Sequence, residues 1–216
     1  MAKSPRTGKA RLRTRLRDAD VESLAACFFR DTLSLAQKCD AQTIIAFAPE
    51  GGSDELRALT PSPDLVWTQQ SGSDLGERLA SVLEFAIGLG FRHLVCIGTD
   101  SPTLPGEYLS TAIALLGGDE CDIVLCPAAD GGYCLIGVNE YADGLFDGVK
   151  WGTAAVLEQT EANASKLRLT QCRLPEWYDI DTFDDLIRLR HEMARLPDAA
   201  PATRRWMAEH GHLFRR

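Results

Sequence analysis

The chain has 216 residues, of which 45% are hydrophobic, and its formal net charge is −8. This length fits one medium domain with a full core. The acidic balance argues against nucleic acid as a partner, because a reader of the phosphate backbone needs a basic face. No apolar run approaches the length of a transmembrane helix and the N-terminus lacks the apolar core of a signal peptide. We therefore expect a cytoplasmic protein without a membrane partner.

The cysteine pattern agrees with a reducing compartment. The seven cysteines are scattered, odd in number and mostly inside apolar runs, and no CxxC pair is present. They are Cys27, Cys39, Cys96, Cys121, Cys126, Cys134 and Cys172. Such spacing predicts buried, reduced thiols, with neither a zinc site nor a disulfide framework.

The N-terminal segment, residues 3–17, holds the only basic cluster of the chain. Pro5 and Gly8 precede an alternating series of cations: Lys9, Arg11, Arg13, Arg15 and Arg17. A glycine-bearing loop of cations can cradle a polyphosphate, because backbone amides and guanidinium groups both satisfy phosphate oxygens. By composition alone, a disordered basic tail is the better interpretation.

Helices and strands alternate after this segment. Apolar residues at helical spacing predict a helix over 21–39, followed by a strand over 42–49, a short helix over 53–59 and a strand over 65–69. The stretch 70–78, QSGSDLGER, comes next. Ser73 or Asp74 can cap a helix there, and Glu77 has the offset of a capping box. A cap gives no reason for Gly76, so we expect the glycines to permit the close approach of a flat ligand.

A short apolar run over 94–97 predicts a strand buried on both faces of a parallel sheet. Asp100 arrives just past its carboxyl end, which is the edge where open α/β sheets bind ligands. A carboxylate at this edge suits a hard cation such as Mg²⁺ that carries a phosphorylated substrate. Alternatively, Asp100 only caps the next helix, predicted at 107–116, and the residues alone do not decide.

The second half of the chain adds two more polar clusters. A buried strand at 122–127 precedes Asp130, Gly131 and Gly132, which form a hairpin turn or a ligand-binding turn before an alternating run at 133–138. Thr153 is predicted to cap a helix behind a Trp-Gly pair. After a strand at 167–174, Asp179 and Asp181 lie on one face if extended, and Asp181 or Thr182 caps a last helix running to residue 195.

Six motifs occur in order along the chain: KxPxxG, QxGxDLGERL, GTDSPTLP, PAADGGYCLIGV, LFDGVKWGT and DIDTFDDL. Together they resemble the bacterial glycosyltransferase-like proteins called DUF2064, which are similar to the guanylyltransferase of cofactor F420 synthesis and to the molybdenum-cofactor nucleotidyltransferases. The resemblance runs to about residue 195. It implies an α/β fold with a single GT-A nucleotide-diphospho-sugar transferase domain at 1–196, a mixed and mainly parallel sheet between helices. We expect a poorly ordered tail with a short helix, residues 203–209, in the remaining part at 197–216.

The resemblance also implies roles for single residues. Asp100, Asp179 and Asp181 match metal-binding positions for Mg²⁺ or Mn²⁺, and Asp100, Asp181 and Asp130 are the candidate catalytic residues. The candidate nucleotide-binding residues are Gly8, Lys9, Arg11, Arg13, Gln70, Gly72, Asp74, Gly76 and Arg78. The candidate acceptor-binding residues are Gly131, Gly132, Tyr133, Trp151, Gly152 and Thr153.

The chain departs from the family pattern in two places. The usual KTRL of the phosphate loop reads RLRT or RTRL, so the arginines that face phosphate stay open. In addition, only Met1 and Ala2 precede the loop, so the first strand of the sheet is expected to be missing between the strands at 42–49 and 93–98. We expect that the natural chain starts further upstream with an apolar strand, although closure of the gap or a strand from another chain are alternatives.

These expectations describe a metal-dependent transferase that takes a nucleoside triphosphate or a nucleotide-sugar. Nucleotidyl transfer to a small phosphorylated or carboxylated acceptor ranks slightly above glycosyl transfer. Two other classes remain open, a non-catalytic nucleotide-binding accessory protein and a partner-dependent subunit. The base, the acceptor and the oligomeric state do not follow from the sequence.

Overall fold

The computed structural model describes residues 1–60, 62 and 64–214. It has seven strands, here β1 to β7, at Ala2–Lys3, Ile44–Ala48, Val66–Gln69, Leu94–Ile97, Ile123–Pro127, Tyr133–Val138 and Gln171–Arg173. The α-helices α1 to α7 span Asp18–Ala36, Ser53–Leu59, Leu75–Gly88, Gly106–Gly117, Val156–Lys166, Phe183–Met193 and Pro201–Glu209. Short 3₁₀ turns lie at Leu12–Thr14 and Gly211–Phe214. No helix of the described residues combines the length and the hydropathy needed to cross a membrane.

The strands form two sheets that meet at the N-terminus. One sheet is parallel, in the order β1-β2-β3, and the other has the order β4-β6-β5-β7 with β6 antiparallel to both neighbours. The N-terminal ammonium of Met1 donates to the carbonyl oxygen of Ile97 at 2.8 Å. Because β1 also pairs with β2, it lies between β2 and β4. The expectation of a mixed, mainly parallel α/β arrangement is confirmed.

The first strand is not wholly missing, which corrects the sequence-based expectation. Its two residues pair with Phe47 and Ala48 and occupy the expected slot. A cavity of about 380 Å³ lies next to Met1. It is lined mainly by apolar side chains of β2, β4, α3 and α4, among them Ile44, Val82 and Leu109.

Helix α7 belongs to a packed core. Its Trp206 and Met207 are buried in one cluster with residues of α1 and α6. Asp31 of α1 accepts hydrogen bonds from the backbone N–H groups of Ala202 and Thr203 at 2.9 and 2.8 Å. It therefore provides partners for two N–H groups in the first turn of α7 that have none within the helix. The short helix predicted at 203–209 is confirmed. The expectation that it lies in a poorly ordered tail is wrong, because the cap from Asp31 and the packing on α1 and α6 hold it in place. The domain boundary at 196 stays a prediction, and residues 215–216 lie outside the described residues.

Candidate active site

A buried ammonium group held by oxygens from distant parts of the chain forms the centre of the site. The Nζ atom of Lys9 lies 2.7 Å from Oδ1 of Asp100 and 3.2 Å from Oδ1 of Asp181. It also donates to the carbonyl oxygen of Ile180. The side chain of Lys9 is 6% exposed, whereas those of Asp100 and Asp181 are 36% and 44% exposed. The cluster is therefore closed on the lysine side and open to solvent on the carboxylate side.

Local structure explains why the two carboxylates meet. Asp100 follows the carboxyl end of β4 by three residues, and its carbonyl accepts the N–H of Ile180 at 2.8 Å, which fixes the segment before α6 beside it. Thr182 caps α6 through a capping box with Asp185, so the prediction that Thr182 can serve as the cap is confirmed. Asp181 is left to face Lys9. The alternative in which Asp100 caps α4 is wrong, because Pro105 holds the N-cap position.

Asp179 lies apart from this pair. Its Oδ1 accepts a hydrogen bond from the hydroxyl group of Ser101. Burial is the main reason why the pKa of Asp179 is raised to about 6, and the negative charge of Asp100 adds to this effect. The hydrogen bond from Ser101 and the positive charge of Lys9 act in the opposite direction. Among the described residues, no three His, Cys, Asp or Glu side chains converge as a metal-binding group. The structure thus joins Asp100 and Asp181 but not Asp179, whose role as a metal ligand stays a prediction.

The N-terminal loop is ordered by its own cations. The guanidinium group of Arg13 donates to the carbonyls of Pro5, Arg6 and Gly8 and to Asp18. Arg13 therefore stabilises the loop. The interpretation of this segment as a disordered tail is wrong. The side chain of Arg11, by contrast, is exposed to solvent.

Lys9 adopts a left-handed backbone conformation with φ 60°, which is uncommon for a residue with a side chain. A Cβ atom on Gly8 would contact nothing within 4 Å. Gly8, Lys9, Asp100 and Asp181 line a small cavity of about 60 Å³. Part of the predicted phosphate loop therefore borders the carboxylate pair.

Residues 70–78 form a helix start. Asp74 caps α3 by accepting the N–H of Glu77 at 2.9 Å, and the Nε of Arg78 donates to the carbonyl of Gly72 at 3.1 Å. Gln70 donates to the carbonyls of Ala2 and Ala46 and so ties β1 to β2. These bonds explain the local fold, and the nucleotide-binding roles of Gln70, Gly72, Asp74, Gly76 and Arg78 stay predictions.

The flat group that lies close to Gly76 is the indole ring of Trp151. A Cβ atom at Gly76 would lie 2.9 Å from two atoms of the Trp151 indole and 3.0 Å from Cβ of Phe146. Glycine is therefore needed for packing, and the expectation of a flat ligand at this glycine is not supported. The contact instead joins the candidate nucleotide loop to the candidate acceptor loop.

The candidate acceptor residues come together around the β5–β6 turn. Asp130, Gly131 and Gly132 form the turn, in which Oδ1 of Asp130 accepts the N–H of Gly132 at 3.0 Å. Gly131 has φ +89°, and a Cβ there would lie 2.3 Å from the carbonyl oxygen of Ala154, so the turn packs directly on the loop that carries Gly152. The hairpin interpretation is confirmed.

Two orphan polar atoms lie near this turn. The Tyr133 and Trp151 rings meet edge to face at 6.4 Å, and the Tyr133 hydroxyl and the Trp151 Nε1 are buried without a hydrogen-bond partner among the described residues. Thr153 does not cap α5, because the helix begins three residues later with Ala155 at the N-cap. Its hydroxyl donates to the carbonyl of Lys150 at 2.7 Å instead.

Sequence reasoning missed two groups of the site, one that binds a carboxylate and one that binds Lys9. Ser101, the neighbour of Asp100, binds Asp179, and the Ile180 carbonyl completes the oxygen set around Lys9. No local pattern reveals these contacts, because Lys9 and Ile180 are 171 positions apart in the chain.

Comparison with known proteins supports this fold. A crystal structure from Desulfovibrio desulfuricans G20, described as that of a candidate nucleotide-diphospho-sugar transferase, matches with a TM-score of 0.85 and 28% identity, covering 98% of this chain and 93% of that chain. Molybdopterin-guanine dinucleotide biosynthesis protein A from Archaeoglobus fulgidus matches with a TM-score of 0.53 and 17% identity over 78% of this chain and 86% of that chain, which shows the fold alone. No curated protein has significant sequence similarity to the chain.

A family model described as an uncharacterized protein conserved in bacteria (DUF2064) matches residues 32–153, more than half of the chain. The matched segment includes Asp100 and the turn at Gly131. It excludes Lys9 and Asp181, which the fold brings to the same site. The chain belongs to the DUF2064 family.

Proposed function

We propose that this protein is a transferase that uses a nucleotide-activated substrate with a divalent cation held by Asp100 and Asp181. The observation that carries the proposal is the convergence of both carboxylates on one cationic position at the edge of the sheet. This is the edge where open α/β sheets bind ligands.

The donor set fits a hard divalent cation. The oxygens around Lys9 Nζ come from two carboxylates and one backbone carbonyl. Mg²⁺ is commonly bound through one or two carboxylates together with substrate phosphates and water, so Asp100 and Asp181 would hold it or Mn²⁺. Such a cation neutralises charge that develops on phosphate oxygens.

The charge balance of the site points the same way. The two carboxylates of Asp100 and Asp181 face the single ammonium of Lys9, so negative groups outnumber positive ones at this position. A polyphosphate brought next to this excess of negative charge would be repelled. A divalent cation between them removes the repulsion, which is why we propose that substrate binding depends on metal.

Within this site the chain's own residues would divide the work. Gly8 borders the small cavity and leaves space for a phosphate group, and Lys9 supplies fixed positive charge. Asp130, Gly131 and Gly132, with Tyr133, Trp151, Gly152 and Thr153, would receive the acceptor. The orphan Tyr133 hydroxyl and Trp151 Nε1 support this assignment, because a buried polar atom without a partner is uncommon.

The first candidate reaction is nucleotidyl transfer to a small phosphorylated or carboxylated acceptor. Glycosyl transfer from a nucleotide-sugar is the second, and the likeness to the Desulfovibrio desulfuricans protein favours it. The two differ in the leaving group, which is pyrophosphate in the first reaction and a nucleoside diphosphate in the second.

Calorimetry tests the proposal directly. Nucleoside triphosphates and nucleotide-sugars are titrated into the protein with and without Mg²⁺, and the leaving group is then assayed in the presence of candidate acceptors. We expect binding that requires Mg²⁺ for at least one nucleotide. Metal-independent binding without release of a leaving group would instead support the accessory-protein alternative.

A further inference from the structure

We propose that Lys9 is a gate for metal entry: in the free protein its ammonium group takes the cation position between Asp100 and Asp181, and it leaves only when phosphate offers it a new partner. The inference rests on the proposed function. It adds a specific role for Lys9 in making the binding of metal and nucleotide depend on each other.

Geometry places the ammonium where a cation belongs. Lys9 Nζ lies 2.7 Å from Asp100 and 3.2 Å from Asp181, with the Ile180 carbonyl as a third acceptor. The ammonium donates hydrogen bonds to Asp181 and to the Ile180 carbonyl and forms an ion pair with Asp100, so its charge is compensated on the side of the carboxylates. A divalent cation held by the same two oxygens would lie within a few ångströms of a positive charge, and the two would repel each other.

Lys9 cannot simply turn into solvent. Its side chain is 6% exposed, and its ammonium lies 5.6 Å from the centre of the buried Phe28 ring. A buried charge needs a partner, because an isolated one in apolar surroundings is very costly. Displacement of Lys9 from the carboxylates by metal alone would therefore be opposed.

Phosphate changes this balance. The small cavity beside the carboxylates is bordered by Gly8 and Lys9, so an anion entering there would lie within reach of the ammonium. Lys9 would then pair with phosphate while Asp100 and Asp181 pair with the metal. Each ligand removes the obstacle to the other, which is positive coupling between two sites and is reciprocal.

The test measures binding of Mn²⁺ alone to the full chain by electron paramagnetic resonance of the free ion. Lys9→Met keeps much of the length of the side chain and removes its charge, and Lys38→Met makes the same change at an exposed position at the end of α1. We expect Lys9→Met to bind Mn²⁺ about 5- to 150-fold more tightly than the unaltered protein, the usual range of such coupling. Lys38→Met should not differ from the unaltered protein. Equal Mn²⁺ affinity of Lys9→Met and the unaltered protein would overturn the proposal.

A second measurement uses the unaltered protein and does not depend on how well the variant folds. The ammonium of Lys9 is followed by nitrogen-15 NMR during titration with Mg²⁺ alone and then with Mg²⁺ and inorganic pyrophosphate. We expect its signal to stay in place with Mg²⁺ alone and to shift when pyrophosphate is added. The same shift with Mg²⁺ alone, or no shift with either, would contradict the gate.

These outcomes are separable from the proposed function. If the protein uses no nucleotide, the calorimetric titrations of nucleotides fail, yet Lys9→Met still gains affinity for Mn²⁺. If the gate is wrong but the function is right, Mg²⁺-dependent nucleotide binding persists and Lys9→Met shows no gain.

Discussion

At the scale of single residues, neighbouring positions have separate tasks. Asp181 faces Lys9, whereas Thr182 closes the first turn of α6, with its hydroxyl accepting the Asp185 N–H at 3.2 Å. From the sequence, Asp179 and Asp181 could be placed before a helix, and Thr182 could be identified as a candidate for its N-cap, as the structure shows. It could not show that Asp179 turns to Ser101, because that contact depends on how the segment before α6 packs on the end of β4.

We therefore predict opposite effects for alanine at two adjacent positions. Thr182→Ala should lower the free energy of unfolding by about 1 kcal/mol, the usual cost of a lost N-cap, and leave metal-dependent nucleotide binding intact. Asp181→Ala should weaken metal-dependent nucleotide binding, because this carboxylate contributes charge to the site. It should leave the free energy of unfolding nearly unchanged, because the side chain is 44% exposed. Denaturant unfolding and calorimetry on both variants check this. A binding loss in Thr182→Ala with none in Asp181→Ala would contradict the assignment.

At the scale of elements, the positions of helices and strands followed from periodicity, but the packing of loops on them did not. Helix α2 agrees with its prediction, and the predicted strand over 167–174 shrinks to Gln171–Arg173. Gly76 is the clearest case. A glycine inside a first helical turn signalled a close approach, but only the fold shows that the approaching group is Trp151.

Two glycines of α3 provide a matched test of this packing. Alanine is favoured over glycine inside a helix by about 1 kcal/mol, so Gly88→Ala, with no atom within 4 Å of the new Cβ, should be neutral or stabilising. Gly76→Ala should lower the melting temperature, because its Cβ would lie 2.9 Å from the indole of Trp151. It should also change tryptophan fluorescence. A stabilised Gly76→Ala variant with unchanged fluorescence would show that the contact is not tight.

At the scale of the whole molecule, the two sheets meet at a two-residue strand, β1. The family resemblance implied the position of this strand between β2 and β4. Its presence was not predictable, because two residues give no periodic signal. A cavity of about 380 Å³ lies next to this strand, with Met1 in its lining.

Partial filling of this cavity should stabilise the protein. Ala46 of β2 lines the cavity, and valine there adds apolar volume and suits a strand. We expect Ala46→Val to raise the free energy of unfolding by about 0.5–2 kcal/mol, as cavity-filling changes commonly do. Ala112→Val is the control, because Ala112 is fully buried in α4 and does not line the cavity. Overpacking there should cost about 1–3 kcal/mol. Equal destabilisation of the protein by both changes in thermal unfolding would show that the cavity has no space for the added methyl groups.

The central claim is that Asp100 serves the site through its charge. Asp100→Asn keeps the shape of the side chain and removes that charge, and Asp119→Asn makes the same change at an exposed position after α4. The decisive measurement is the Mg²⁺-dependent affinity for a nucleotide, by calorimetry, in the unaltered protein and both variants, with circular dichroism to verify folding. We predict that Asp100→Asn stays folded and loses at least about tenfold in Mg²⁺-dependent affinity, while Asp119→Asn binds as the unaltered protein does. Unchanged Mg²⁺-dependent affinity in a folded Asp100→Asn variant would contradict the account.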